Sequence, residues 1–218
     1  SLAKDGDVIT LSLTSSENIQ TPTISMSIGG TSVSPTISGS NTSWNSIYTV
    51  VDGNNGSVSF SIDYYDLANN SGVQVTNTTN SSSVSVDTTS PIVNSFTMSD
   101  NALKSGDTSN VEIQFSEEVI NFSNSNLTLP NGTLSTLTTS DNINWNAVYT
   151  PNTNIENNTN ELIIDNSYTD LAGNSGSSLS TSNFTIDTVT PTLTSVLLSS
   201  NNSLDTSLAK ADDVITLN

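Results

Sequence analysis

The stretch SLAKDGDVITLS (Ser1–Ser12) returns almost unchanged as SLAKADDVITLN (Ser207–Asn218). In the first copy Ile9 and Leu11 alternate with polar residues, and Leu13 directly after it continues the alternation. This two-residue period is typical of a strand with one buried face. The stretch therefore predicts a half-buried β-strand, and its recurrence predicts a repeated module.

The same alternation runs through the rest of the chain. The other predicted strands of the first half are Thr23–Ile28, Ser57–Ile62 and Ser83–Val86. Those of the second half are Asn110–Phe115, Asn126–Leu129, Ala147–Thr150, Glu161–Ile164 and Asn183–Ile186. Gly, Asn or Pro bounds each strand, and no segment shows the helical period of about 3.6 residues. The pattern predicts an all-β chain of sandwich type.

Other motifs occur twice at a spacing of about 100 residues, the size of one immunoglobulin-like sandwich. The pairs are Ser16-Glu17 with Ser116-Glu117, Trp44 with Trp145, Asp66–Gly72 with Asp170–Gly176, and Asp87–Pro91 with Asp187–Pro191. They predict two tandem modules, residues 1–89 and 90–189, joined by short acidic linkers. Residues 190–218 then correspond to the first strands of a third, incomplete module. We expect the first module to lack the opening strand that Thr192–Leu198 resembles, as in one period of a longer array.

The composition is acidic and lacks the commonest catalytic side chains. The 218 residues include 21 acidic and 3 basic residues, for a formal net charge of -18, and no histidine or cysteine. Because nucleic acids and anionic membrane surfaces attract clustered Lys and Arg, we predict no nucleic-acid partner. The sequence contains no apolar run of about 20 residues, so we predict no membrane insertion in this segment. Without thiolates or imidazoles the chain is predicted not to be an enzyme, and its scattered carboxylates suit divalent cations.

The order of the motifs resembles the bacterial immunoglobulin-like tandem repeats of giant surface adhesins and biofilm-associated proteins. The first module shows the resemblance in Lys4–Leu11, Ser15–Glu17, Trp44–Val50, Asp66–Asn70 and Val86–Pro91. The second shows it in Ala102–Asp107, Phe115–Val119, Asn131–Ser135, Trp145–Pro151 and Asp170–Asn174. The resemblance implies an extracellular array of sandwiches at the bacterial cell surface that acts as a spacer, often with Ca²⁺ at the module junctions.

Acidic residues also lie on the segments that immunoglobulin topology places at the pole facing the preceding module. In the second module these are Glu117 after the second strand, Asp170 and Asn174 in a later loop, Asp87 in the incoming linker, and Asp100 after the first strand. Carboxylate and amide oxygens from separate segments are the ligands that Ca²⁺ prefers. We therefore predict a Ca²⁺ site here. By repetition the prediction extends to Glu17, Asp66, Asn70 and Asp187.

The Asp-Leu-Ala motif has a second interpretation, as a simple turn. Asp accepts hydrogen bonds from local backbone amides, and Gly173 allows a positive φ that the equivalent Asn69 also tolerates. The residues alone leave both interpretations open.

Three classes of function fit these observations. The first is a non-catalytic extension repeat, stiffened by Ca²⁺ and carrying a tip whose ligand the sequence does not identify. The second is a filament or sheath subunit whose Thr192–Leu198 and Ser207–Leu217 dock into the first module of the next copy, head to tail. The third, a carbohydrate-binding module or glycosidase, would use paired acids such as Glu117 and Glu118 or the two Trp residues. The predicted partners are neighbouring repeats or other copies of the chain.

Overall fold

The structure is a computed structural model that describes residues 1–218. It consists of β-strands with one short 3₁₀ turn, Asn124–Asn126, and contains no α-helix. None of its helical segments has the length and apolar character needed to cross a bilayer. Strands pair only with strands of the same range, either 1–89, 90–189 or 190–218. These ranges are called the first module, the second module and the C-terminal segment.

The first module contains two sheets. Its strands are β1 (Leu2–Ala3), β2 (Val8–Thr14), β3 (Thr23–Ile28), β4 (Thr31–Val33), β5 (Thr36–Ser40), β6 (Ser43–Thr49), β7 (Gly56–Asp63) and β8 (Ser85–Val86). One sheet has the order β1-β8-β7-β3-β4 and the other β2-β6-β5. Strands β1 and β8 are parallel, and the other pairs are antiparallel. Strand β2 pairs with β6 on one side only.

The second module repeats this plan with an additional strand at its start. Its strands are β9 (Val93–Met98), β10 (Ala102–Lys104), β11 (Ser109–Phe115), β12 (Val119–Ile120), β13 (Leu127–Thr128), β14 (Gly132–Leu134), β15 (Thr138–Thr139), β16 (Asn144–Pro151), β17 (Glu156–Asn160), β18 (Ile163–Ile164), β19 (Thr169–Asp170), β20 (Leu179–Ser180) and β21 (Phe184–Asp187). The main sheet has the order β14-β16-β11-β9, with β15 also on β16. The smaller sheets are β10-β21-β17, β13-β18-β20 and β12-β19.

The C-terminal segment forms a two-stranded antiparallel ladder of β22 (Leu198–Ser200) and β23 (Ile215–Leu217). The strand predicted at Thr192–Leu198 therefore begins only at Leu198. The reason is the extent of the pairing: Leu197 and Asn218 exchange backbone hydrogen bonds of 2.9 Å, and residues 192–196 lie beyond that ladder.

The predicted strand Asn126–Leu129 is also shorter in the structure. The hydroxyl of Ser123 accepts a hydrogen bond from the amide of Ser125, and the Asn126 side chain accepts one from the amide of Ser123, which together form a capped 3₁₀ turn. Because Ser and Asn side chains compete with ladder hydrogen bonds, the turn takes Asn126, the first residue of the predicted strand. Leu127 and Thr128 form β13, which ends before Leu129.

The two modules have cores of different size. Sixteen buried apolar residues form one cluster in the second module, whereas the corresponding cluster in the first module has five. Strand β9 accounts for part of the difference, because Phe96 is buried and Val93 and Met98 pack against the larger cluster. Trp44 is 8% exposed, and Trp145 packs edge-on against Phe122 with the ring centroids 5.2 Å apart, so both Trp side chains pack in the module interiors.

Candidate metal centre at the module junction

The linker Asp87–Pro91 is bound to the first module through Thr88. The Thr88 amide donates a hydrogen bond of 2.7 Å to the side-chain oxygen of Asn55, and its hydroxyl accepts one of 3.0 Å from the amide of Gly53. The amide of Asp87 donates to the carbonyl of Ala3 and so continues strand β8. The linker therefore leaves the first module in a fixed direction.

The side-chain amide of Asn174 binds the same linker to the second module. Its Nδ2 donates to the carbonyl of Asp87 at 2.9 Å and to the carbonyl of Thr89 at 3.3 Å. Further along, Ser116 and Ile92 exchange hydrogen bonds: the Ile92 amide donates to the Ser116 hydroxyl, and the Ser116 amide donates to the Ile92 carbonyl. Both ends of the linker are thus held by neutral hydrogen bonds.

The loop Asp170–Asn174 is shaped by its first carboxylate. Oδ1 of Asp170 accepts from the amides of Gly173 at 2.7 Å and Asn174 at 2.9 Å, and Oδ2 accepts from Asn174 Nδ2 at 2.7 Å. Gly173 has a φ of 92°, and the equivalent Asn69 has a φ of 68°, so the left-handed conformation is common to both loops as expected. The turn interpretation is correct for the loop backbone, and it leaves one lone pair on Oδ2, since Oδ1 already accepts two hydrogen bonds.

Another glycine of the motif makes room for an aromatic ring. A Cβ on Gly176 would lie 2.1 Å from the ring of Tyr168, and one on Gly72 would lie 2.2 Å from the ring of Tyr64. Tyr168 is fully buried, and its hydroxyl donates to the carbonyl of Ser177 at 2.8 Å. This packing fixes the base of the loop against the core and gives a physical reason for the repeated Asn-Ser-Gly sequence.

Three carboxylates from separate segments meet beside this loop. Oxygen atoms of Asp87, Glu117 and Asp170 all lie within 4.8 Å of one another; Asp170 is buried, and the other two are half-buried. At effective dielectric constants of roughly 20 to 80, two unit charges at 4.8 Å repel by about 1 to 3 kcal/mol. A positive charge at the acidic junction would relieve this repulsion.

No lysine supplies that charge. The three ion pairs of the structure are local and recur in each repeat, joining Lys4 to Asp7, Lys104 to Asp107 and Lys210 to Asp213. The aliphatic stem of Lys4 does reach the junction, since a Cβ on Gly173 would lie 3.6 Å from its Cε. Its ammonium group, however, contacts the carbonyl of Asp5 and the carboxylate of Asp7 on its own module.

The environment of Glu117 favours its neutral form. Burial first, and then the charges of Asp87 and Asp170, raise the pKa of Glu117 above its ordinary value. Both causes act against an ionised carboxylate, and a bound cation would reverse the second.

The other predicted ligands lie elsewhere. Asp100 accepts from the amide of Ala102, and its own amide donates to Ser109 at the start of β11, whereas Glu117 follows the end of that strand. Asp100 is therefore at the opposite pole of the second module from the carboxylate cluster. Asp187 lies at the same far pole, in the outgoing linker, where it accepts from the amide of Val189.

The counterparts in the first module keep the loop geometry without a third carboxylate. Oδ1 of Asp66 accepts from the amides of Ala68 and Asn70, and Asn70 Nδ2 donates to Oδ2 at 2.7 Å. Glu17 is exposed. The hydrogen bonds from Asn70 hold the pKa of Asp66 below its ordinary value.

The donor set of the cluster fits a hard divalent cation. All three groups are carboxylates, from the linker and two loops, and Ca²⁺ takes six to eight oxygen ligands in flexible geometry. Mg²⁺ fits less well, because it requires a tighter octahedral shell. Asn174 lies beside the cluster, where its side-chain nitrogen donates to the linker carbonyls and to the Asp170 carboxylate. These contacts are those of a clamp, and its role as a ligand stays a prediction.

Sequence reasoning missed the residues that hold the linker through the backbone. Thr88 and Asn55 were not singled out, although Thr88 recurs in the second linker as Thr188. Thr188 exchanges hydrogen bonds with the backbone of Ile155, in the same relation to its own preceding module. The recurrence of Thr directly after the linker Asp, at Thr88 and Thr188, is the sequence feature that indicates this linker contact.

Comparison with known proteins supports the fold. Residues 87–186 match the family model of the bacterial Ig-like domain. The matched range begins at the linker and covers most of the second module. The predicted fold class, all-β tandem Ig-like sandwiches joined by short acidic linkers, is confirmed.

Two solved structures are similar to the chain at low identity. A three-Ig segment of titin with Glu-to-Ala substitutions is 10% identical, with a TM-score of 0.40, over 87% of this chain and 62% of its own. The D00-D0 domain of intimin is 11% identical, with a TM-score of 0.36, over 84% of this chain and 94% of its own. No curated protein matches the sequence.

Glu117→Gln is expected to stabilise the protein in metal-free buffer at pH 7 and to have little effect at pH 4. A carboxyl group with a raised folded-state pKa contributes stability below its ordinary value of 4.5, and that contribution is lost as the pH rises through the folded pKa. Gln imitates the protonated form at both pH values. Thermal unfolding with chelator measures the difference, with Glu118→Gln, an exposed neighbour, as control. Equal effects of Glu117→Gln at the two pH values would contradict the prediction.

Asn174→Asp is expected to destabilise the second module by about 1 to 3 kcal/mol, because it leaves the linker carbonyls without a donor and adds a charge beside Asp170. Asn70→Asp is the matched control: it makes the same change in the equivalent loop, where Asn70 is exposed and contacts no linker. Urea unfolding with chelator compares them. If the two variants lose equal stability, Asn174 does not act as a linker clamp.

Proposed function

We propose that the chain is a non-catalytic extension segment of an extracellular bacterial surface protein of the adhesin or biofilm type, and that Ca²⁺ held by Asp87, Glu117 and Asp170 stiffens the junction between its modules. The observation that carries the proposal is the meeting of three carboxylates at the linker with no basic partner.

The positions of the ligands give the cation a mechanical role. Asp87 belongs to the linker, Glu117 follows β11 and Asp170 lies between β19 and the following loop, so one ion would join the linker to two separate parts of the second module. When bound, the ion would supply positive charge and coordination positions for the carboxylate oxygens. Without it, the clustered carboxylates repel and only the hydrogen bonds of Asn174, Thr88 and their partners resist bending.

The family match and the composition support an extracellular structural role. The second module matches a bacterial Ig-like domain, and the chain carries a formal net charge of -18 without histidine or cysteine. Trp44 is buried and Trp145 packs against the core, so neither side chain presents a free ring face on which a sugar ring could stack. No observation favours the glycosidase alternative over the structural one.

Calcium binding by the full chain is the direct test. Isothermal titration with Ca²⁺ is expected to show binding that weakens about tenfold or more in Glu117→Gln, because one ligand charge is lost. Glu118→Gln removes the same charge from the adjacent exposed position and is expected to bind like the parent chain. Circular dichroism of each variant checks that the modules remain folded.

Small-angle scattering of the same proteins tests the mechanical part. The parent chain is expected to show a narrower range of inter-module distances with Ca²⁺ than with chelator, and Glu117→Gln is expected to show no such change. Binding that is unaffected by Glu117→Gln, or no binding at all, would overturn the proposed site. Binding without a change in scattering would overturn the stiffening.

A further inference from the structure

Lys4 lies beside the linker in the strand register of the first module. Strand β1 runs parallel to β8, with Ala3 opposite Val86, and the amide of Asp87 donates to the carbonyl of Ala3 at 2.9 Å. Lys4 and Asp87 are the next positions in that register, and neighbouring strands are about 4.8 Å apart. The strand pairing therefore brings the backbone of a lysine next to that of one residue of the carboxylate cluster.

The side chain of Lys4 extends from the first module across the junction. A Cβ on Gly173 would lie 3.6 Å from Cε of Lys4 and 3.7 Å from its Cδ, which are ordinary van der Waals distances. The amide of Gly173 donates to Oδ1 of Asp170 at 2.7 Å. The last methylene groups of Lys4 thus lie over the loop that carries a second carboxylate of the cluster.

The ammonium group of Lys4 is held less closely than those of the other two lysines. Its Nζ lies 3.9 Å from a carboxylate oxygen of Asp7 and 3.5 Å from the carbonyl oxygen of Asp5. In the other copies of this turn the ion-pair distance is 3.4 Å for Lys104 and 2.7 Å for Lys210. Both contacts of Lys4 are at or beyond the limit of a hydrogen bond, so they hold the ammonium only weakly in its place.

Lys4 is also the least exposed of the three lysines. Its side chain is 39% exposed, against 79% for Lys104 and 73% for Lys210. A lysine that covers its methylene groups while its charge has only loose contacts is held by its stem, and rotation about the terminal bonds moves the charge at little cost. Because the stem already lies over the acidic loop, such a rotation can carry the ammonium to the carboxylates.

We propose that Lys4 is the counter-charge of the junction when no metal is bound: its ammonium turns from Asp7 to the carboxylates of Asp87 and Asp170, and a cation that enters the cluster displaces it. The turn is favoured because three carboxylates within 4.8 Å of one another attract a positive charge more strongly than the single exposed carboxylate of Asp7 does. The counter-charge role depends on the contacts of Lys4 alone, whereas its displacement by Ca²⁺ rests on the proposed function above.

The new contact would also join the modules, since Lys4 belongs to the first module and Asp170 to the second. One ammonium offsets one of the three negative charges and imposes no coordination geometry, so it holds the junction less firmly than a divalent cation with three carboxylate ligands. Lys4 therefore lowers the affinity of the cluster for the cation. The cation concentration at which the junction stiffens then depends on this side chain.

The first test measures the coupling between Lys4 and the cluster by thermal unfolding in chelator at pH 7. Lys4→Met keeps the length of the stem and removes the charge. It is expected to lower the melting temperature of the parent chain by roughly 1 to 3 °C, and to have a clearly smaller effect in a Glu117→Gln background, where one attracting charge is gone. Lys104→Met is the matched control, because it removes the same charge at the pole of Asp187, and its effect is expected to be equal in both backgrounds.

The second test is isothermal titration of the same chains with Ca²⁺. Lys4→Met is expected to bind about two- to fivefold more tightly than the parent chain, because the cation no longer displaces an ammonium. Lys4→Arg keeps a charge that pairs well with carboxylates, and it is expected to bind no more tightly than the parent. Lys104→Met is expected to match the parent, and circular dichroism checks that each variant is folded.

Equal effects of Lys4→Met on the melting temperature in the two backgrounds would overturn the counter-charge role, whether or not the chain binds Ca²⁺. Calcium binding that is equally tight in the parent and in Lys4→Met would overturn the displacement. Coupling in chelator together with no calcium binding would retain the counter-charge role and reject the calcium site.

Discussion

The position of the linker between the modules depends on one side-chain amide. Asn174 donates to the carbonyls of Asp87 and Thr89 and also to the carboxylate of Asp170. The amide thereby draws the linker toward a buried acidic loop and brings the Asp87 carboxylate to Glu117. Neutral hydrogen bonds impose the geometry, and the charge repulsion they create is what a cation would relieve. The clamp and the acidic cluster are therefore one mechanical unit.

Part of the difference between the two modules follows from a single strand. Strand β9 adds Phe96 to the core of the second module, and its pairing leaves β11 with a neighbour on both sides. Strand β2 has one neighbour, and the first module has a smaller buried cluster and an open groove. Small sandwiches bury little apolar surface, so one additional strand noticeably enlarges the core. It also pairs with a strand edge that would otherwise be exposed. The open groove lies along the side of β2 that has no paired strand.

Periodicity and repetition predicted much of this architecture. The alternation at Thr23–Ile28 gave strand bounds identical to those of β3, and the repeated motifs located the linker and the loop at Asp170. The failures have physical causes. Asp100 was expected near the linker, but β9 and β11 carry it to the opposite pole, a consequence of strand direction that residue types do not reveal. Asn174 was predicted as a ligand because amide oxygens suit Ca²⁺. In the structure its side-chain nitrogen donates to the carbonyls of Asp87 and Thr89, an orientation that the residue type alone does not predict.

In the proposed function the junction controls the relative orientation of the modules. Residual dipolar couplings of the backbone amides in the two modules report that orientation directly, in one sample with Ca²⁺ and one with chelator. We predict that a single alignment tensor fits both modules when Ca²⁺ is present, and that two tensors of different magnitude are needed when it is removed. Two different tensors in both samples, or one common tensor in both, would contradict the account.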